Sequence, residues 1–200
     1  MSKENLIKYR NKIDIIDNKL LKLMQTRAEL ALKIGQIKSK LNPNASLYKP
    51  DREADVLRSI LEQNTGKISD KKIKTIFREL IAACLSLEEE IKVAYLGPEG
   101  THSEAALINK FGSSALRIPS SSIEDVFRKI ESNEVSLGIV PVENSSEGVI
   151  NSTLNSLADH NIKICGEIYL DVHHQLASAR RCNLNKATLI ASHPQAIGQC

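Results

Sequence analysis

Two arginines stand where an apolar seam should continue. Alternate steps of three and four residues pick out Leu6, Arg10, Ile13, Ile16, Leu20, Leu23, Arg27, Leu30, Ile34 and Ile37. That is a helical period, close to the 3.5-residue repeat of a coiled-coil seam. An unpaired buried cation is costly, and a ligand carboxylate held by the guanidinium fork is one way to compensate it. The plainer alternative lays both stems along the seam and carries the charges to its edge. Lys38, Arg52, Glu53 and Glu88 are further groups with usable chemistry. Taken singly, such residues are usually solvated surface.

Spacing constrains how these groups could meet. Arg27 and Lys38 are three turns apart, so they share one helix face about 16 Å along the axis. Arg10 lies about 25 Å from Arg27 by the same rise, which no small metabolite spans. If both arginines serve one ligand, Arg10 must come from a second copy of the chain.

The second half carries a different kind of candidate. In "YLGPEGTHSEAAL", Gly97, Gly100 and Thr101 fall in a strand-to-helix turn, where backbone N–H groups can receive an anion. The bland reading of Thr101-His102-Ser103-Glu104 is a capping box. "GIVPVENSSEGVINSTL" makes a second such turn, with Asn144, Ser145, Ser146 and Gly148 at the strand's C-terminal end, where open α/β sheets bind ligands. Neither is a GxGxxG fingerprint, so a dinucleotide is not expected. The five histidines lack metal spacing; His173, His174 and His193 read as structural or substrate-contacting, and no metal is expected.

Composition narrows the field. With 26% charged and 42% hydrophobic residues the chain has the make-up of a globular protein. The formal charge of +3 hides a split: residues 1–91 carry 18 basic against 13 acidic residues, and residues 92–200 carry 9 against 11. The basic half suits an anionic ligand but is too weak and too mixed for nucleic acid. Trp is absent and aromatics are few, which argues against a base-stacking surface. Cys84, Cys165, Cys182 and Cys200 form no CxxC pair, in keeping with a reducing, cytoplasmic setting. No apolar run approaches a membrane span and no signal-peptide core follows Met1.

The elements that must position these groups follow from the pattern. A first helix is expected over Leu6–Leu41, ended by Asn42-Pro43-Asn44. Pro50 opens a second helix to about Gln63, stopped by Asn64-Thr65-Gly66. Ser69 caps a third running to about Ile91. Three helices bury little for about 90 residues, so the seam is expected to close on a second copy. After Lys92 strands and helices alternate: strands at Val93–Leu96, Leu137–Val142, Ile162–Val172 and Ala187–Ala191, with helices near 103–111, 122–132 and 148–158. That is the rhythm of a parallel sheet covered by helices. Two domains are expected, 1–91 and 92–200, with almost no linker.

Three stretches now combine: "LIKYRNKIDIIDNKLLKLMQTRAELALKIGQIK", "YKPDREADVL" and "IFRELIAACLSLEEEIKVAYLGPEG". Together they resemble the small all-helical class of chorismate mutase fused to prephenate dehydratase, the bacterial P-protein family of phenylalanine biosynthesis. The resemblance implies an intertwined homodimer joined through the first helices, with each site drawing Arg10 from the partner chain. Arg10 and Arg27 would hold the two carboxylates of chorismate, Lys38 would contact the ether oxygen, Glu53 the hydroxyl, and Arg52 would support the charge pattern. The implied reaction is a Claisen rearrangement to prephenate without cofactor, driven by holding the folded conformer and stabilising charge on the ether oxygen. Where the family pocket often carries Ser and then Gln four residues on, this chain has Cys84 and Glu88. A glutamate donates a hydrogen bond to the ether oxygen only when protonated. Lys49 stands where some relatives have an acid. Both Cys84 and Lys49 are expected to face substrate.

"GPEGTHSEAA", "VPVENSSEGVI", "HHQLAS" and "SHPQAIGQC" resemble prephenate dehydratase motifs. They imply paired α/β lobes, like a periplasmic binding protein, with prephenate contacted by Gly97, Thr101, Ser103, Asn144, Ser145, Ser146, Gly148, His193 and Gln195. His102 stands where relatives more often have an aromatic. The family continues beyond "SHPQAIGQC" into the Thr-Arg-Phe motif and an ACT domain, so this chain is expected to hold an incomplete dehydratase without that activity. The competing expectation is a non-catalytic dimeric sensor of a small molecule.

Overall fold

The computed structural model describes residues 3–42, 48–145, 148–179, 189–192 and 194–199. Helix α1 spans Lys3–Leu41, 39 residues, with Lys38 and Lys40 in its last turn, where cations favour the helix dipole. α2 (Pro50–Glu62) opens on its proline, with Asp51 and Glu53 in the first turn. α3 (Asp70–Leu85) follows Ser69, which takes the N-cap position in extended backbone although its hydroxyl makes no capping bond. α3 packs on both α1 and α2.

This helical region has almost no interior of its own. Leu57, Cys84, Tyr48 and Gly35 are its buried residues among those described. Every apolar seam position of α1 from Leu6 to Ile37 is exposed, Leu23 at 66% and Ile13 at 55%. Only Arg27, Ala28, Ala31, Gly35 and Lys38 are covered in part or in full. From Arg27 and its neighbour Ala28 the steps to Ala31, Gly35 and Lys38 are three or four residues, so they form one stripe.

The α/β region is built around β1 (Lys92–Leu96), whose middle residues Val93, Ala94 and Tyr95 are wholly buried. β1 runs parallel to β2 (Leu116–Ser120) and to β3 (Leu137–Ile139), in the order β2-β1-β3. Strand alternation sends its side chains to opposite faces. Val93 and Tyr95 pack with Leu107 of α4 (His102–Phe111), while Ala94 packs with Val126 of α5 (Ile123–Glu131). A small antiparallel pair, β4 (Glu143–Asn144) and β5 (Gly148–Val149), precedes α6 (Asn151–Asp159). α7 covers Pro194–Gln199.

Several expectations need correction. The third helix stops at Leu85, not near Ile91; residues 86–88 are a turn in which Glu88 N–H donates to Leu85 O at 2.9 Å. The chain has to leave the helix there to enter β1 only a few residues later. β3 ends at Ile139, short of Val142, and residues 148–149 pair as a strand rather than opening the next helix. Residues 161–178 form no strand, and Ile164 and Tyr169 are exposed at 75% and 86%. Apolar alternation makes one greasy face, but a strand also needs a neighbour for its N–H and C=O groups. Residues 189–191 of the last expected strand are likewise irregular, and residues 187–188 lie outside the described residues.

Gly138 is the tightest point of the sheet. A Cβ there would lie 2.6 Å from both Ile130 Cδ1 and Val126 Cγ1, under α5. Gly138→Ala should therefore cost about 1–3 kcal/mol, the usual range for overpacking. The measurement is thermal unfolding beside Gly166→Ala, whose added methyl would meet nothing within 4 Å. Equal melting temperatures for the two variants would contradict this packing.

Candidate active site

Glu88 is the centre of the best-formed cluster. The turn after α3 lays its side chain across α1 at Gly35, where a Cβ would come within 2.9 Å of Glu88 Oε2. The glycine in mid-helix costs about 1 kcal/mol relative to alanine, and the structure supplies its reason: it makes room for a carboxylate. Oε2 is buried with no hydrogen-bond partner among the described residues. Burial raises the Glu88 carboxyl above the ordinary carboxylate range, opposed by the nearby charges of Lys38 and Arg27. Desolvation disfavours the charged form and the two cations favour it; burial prevails. A groove of about 450 Å³ opens alongside, lined by Leu32, Gly35, Gln36, Leu87 and Glu88 among others. The groove is open to solvent, and among the described residues only Lys40 and Glu88 of the charged ones line it.

Arg27 and Lys38, both partly covered on α1, thus act by charge on Glu88 in the turn after α3. Cys84 is buried with a free thiol one turn earlier. Arg10 is not part of the cluster: it is exposed, about 25 Å further along α1 by helical rise. Arg52 and Lys49 are exposed at the start of α2, and the Lys49 carbonyl accepts the Glu53 N–H at 3.1 Å. Glu53 is half-buried, and its charge acts on Tyr48, a buried residue not singled out from the sequence. Burial first, then the Glu53 charge, push the Tyr48 phenol up. A signal was available: Tyr48 is the aromatic immediately before the Lys49-Pro50 start of α2.

In the α/β region the plain reading of the first turn holds. The Thr101 hydroxyl donates to Leu96 O at 3.1 Å and accepts from Glu104 N at 3.4 Å. The Glu104 carboxylate reaches back to Gly100 N–H at 2.6 Å and meets Arg117 at 3.1 Å. The chain's own carboxylate therefore occupies one donor that an anion would use. Gly97 is a packing glycine: its N–H donates to Ser120 O at 2.9 Å, and a Cβ would sit 3.1 Å from that oxygen. Ser103 is half-buried, and His102 stands 6.1 Å, ring to ring, from His174. Asn144, Ser145 and Gly148, the last with φ of +76°, follow β3. Since β1 and β3 are parallel neighbours, both loops emerge at one end of the sheet. Ser146 and His193 lie outside the described residues, and of Gln195 only its place in α7 is described. Among the described residues, no three His, Cys, Asp or Glu side chains lie close enough to hold a metal ion.

Comparison with known proteins gives this arrangement a context. Residues 93–200, more than half of the chain, match the family model described as prephenate dehydratase. The chain belongs to the prephenate dehydratase family. Ahead of that prephenate dehydratase region, residues 9–89 match the model described as chorismate mutase type II. A bifunctional chorismate mutase/prephenate dehydratase from Stutzerimonas stutzeri is 42% identical over 194 residues, covering 96% of this chain and 53% of that protein. One from Aquifex aeolicus is 41% identical over 201 residues, covering 98% and 55%. This member of the prephenate dehydratase family thus spans about half the length of the curated relatives it matches. Among solved structures, the form II chorismate mutase of Thermus thermophilus aligns over 42% of this chain and 93% of its own, at 28% identity and a TM-score of 0.40.

Proposed function

We propose that residues 1–91 form a chorismate mutase domain that rearranges chorismate to prephenate, and that residues 92–200 form a domain whose ligand is prephenate. The observation that carries the first reading is the Glu88 carboxyl laid against Gly35 under the opposing charges of Lys38 and Arg27, inside the region that matches chorismate mutase type II. Chorismate has two carboxylates and an ether whose oxygen gains negative charge as its bond to carbon breaks. Arg27 holds one carboxylate and Arg10 of the partner subunit holds the other. Lys38 and protonated Glu88 face the ether oxygen, Glu53 takes the hydroxyl, and Arg52 adds positive charge at the rim. Cys84 and Lys49 complete the wall. No proton, nucleophile or cofactor enters the bond changes. Rate comes from fixing the chair-like conformer and from cations already placed where charge develops.

The dimer is supported by α1 itself. An apolar stripe exposed along a 39-residue helix is a surface that water disfavours, and a second antiparallel or crossing copy covers it. It also supplies the arginine that helical rise keeps away from Arg27. For the α/β domain, the two loops at one end of parallel strands support a cleft there. The free thiols of Cys84 and Cys165 suit a cytosolic protein.

The deciding experiment follows chorismate loss by absorbance and prephenate formation by product analysis, using the whole chain. Saturable turnover is expected. Saturable binding of chorismate without loss of its absorbance would replace the enzyme by a dimeric sensor.

A further inference from the structure

Glu88 stands in a short stretch that is held at both ends. Ahead of it α3 ends at Leu85, and the N–H groups of Glu88 and Glu89 both donate to the Leu85 carbonyl, at 2.9 and 3.1 Å. Behind it β1 begins at Lys92. Ile91 O already accepts from Leu116 N–H at 2.9 Å, and Lys92 O accepts from Ser136 N–H at 3.1 Å. Glu89 and Glu90 alone separate Glu88 from chain that is bonded into the α/β region.

The helix ahead is fastened to the same region. Arg78 of α3 donates to Asn109 O at 3.0 Å and to Asn109 Oδ1 at 2.8 Å. Glu79 accepts from Ser113 N–H at 3.2 Å and from its hydroxyl at 2.8 Å. In both pairs one partner is charged, which makes these the stronger kind of hydrogen bond. Gly112 closes the contact. Its φ of +71° disfavours any side chain, and a Cβ there would lie 2.9 Å from that of Ala82 and 3.2 Å from Glu79 Oε2. At the edge of this junction the Tyr48 ring meets Phe111 edge-on, centroids 5.3 Å apart at 62°. Phe111 packs against the Val93, Tyr95 and Leu107 core, and with Ala82, Leu85, Ser86 and Ile91 it lines a small cavity. α4 therefore carries both the sheet and the end of α3.

That arrangement bears on the carboxylate laid against Gly35. A turn lacks the repeating i to i+4 bonds that hold a helix straight, so its direction is set where it is attached. Both attachments of this turn lead to α4. We infer that the α3–α4 junction positions Glu88: Gly112, with the Arg78–Asn109 and Glu79–Ser113 pairs, clamps α3 to the α/β region, and the α/β region thereby sets where the Glu88 carboxylate lies on α1. The catalytic consequence rests on the mutase reading above; the anchoring does not.

The test uses the whole chain and compares wild type with Gly112→Ala, with Asn109→Ala/Ser113→Ala and with Gly138→Ala. The last strains the sheet under α5 and leaves the junction untouched. Hydrogen exchange of residues 86–91 and steady-state kinetics with chorismate are measured below the melting transition of every variant. Both junction variants should speed exchange of 86–91 about tenfold, the local effect of losing hydrogen bonds to charged groups. Gly138→Ala should change it less than about twofold, even where its melting temperature falls as far. The junction variants should also lower kcat up to about tenfold at unchanged KM, because a group facing the ether oxygen acts in the transition state. The double variant adds no bulk, so it carries the comparison even where Gly112→Ala does not fold. Wild-type exchange in the double variant, or an equal rise in Gly138→Ala, overturns the anchoring. Faster exchange at wild-type kcat overturns the positioning of Glu88. Absence of chorismate turnover in the wild type would instead overturn the mutase reading, while exchange still decides the anchoring.

Discussion

Arg27→Ala is expected to lower kcat/KM for chorismate on the order of a thousandfold, about 4 kcal/mol of transition-state stabilisation. Arg10→Ala should do the same, even though within one chain Arg10 is exposed and about 25 Å from Arg27. In the proposed dimer the two defects lie in different copies of a shared site, so they should complement. A heterodimer of the two variants has one site lacking both arginines and one with both. If subunits reassort freely from an equal mixture, half of the dimers are hybrid and about a quarter of wild-type turnover returns, as two-fold symmetry requires. The measurement is chorismate loss after mixing the inactive variants under conditions that exchange subunits. Confirmed exchange without recovered turnover would show that each chain builds its site alone.

The second large effect is on pH. Glu88 can donate to the ether oxygen only while protonated, and burial raises its carboxyl above the ordinary range despite Lys38 and Arg27. The sign follows directly. A raised pKa keeps the donor form populated into milder acidity, and turnover falls as pH rises through that pKa, approaching tenfold per pH unit beyond it. Glu88→Gln keeps a donor at every pH, so its profile should be flat and should cross that of the wild type. Measuring kcat/KM from pH 5 to 8 for both proteins decides the matter. A flat wild-type profile, or a slope that survives Glu88→Gln, removes the proton from the mechanism.

Much of this site could be read in the residues, and the parts that could not share a cause. Arg27 and Lys38 lie on one helix, so their relation is a matter of rise and turn, and the structure places them as counted. α2 is equally local, since Pro50 opens it and Asn64-Thr65-Gly66 follow its end. Glu88 was chosen for its position, but its contact with Gly35 joins residues 53 apart, and nothing in a helical period discloses it. The end of α3 fails for the same reason: Leu87 continues the apolar period, yet the chain turns to lay Glu88 on α1. β2 escaped notice because Pro119 and Arg117 interrupt its pattern. It is an edge strand, however, where a proline's missing N–H costs no ladder bond. Tyr48 and the Arg78–Asn109 and Glu79–Ser113 pairs belong to a surface between two units, for which a single chain carries no periodic signal.

The exposed stripe of α1 has a consequence for how the protein comes into being. A helix of 39 residues is about 58 Å long, and until it is covered its apolar line is open to any chain nearby. On the proposed dimer, newly made copies pass through a stage in which correct pairing competes with unselective clumping, and both are faster when copies are crowded. Arg10 and Arg27 interrupt the line with charge, so a mismatched neighbour has to bury a guanidinium without a carboxylate to meet it. The residues assigned to substrate would then also act earlier, as a bias against wrong company during assembly.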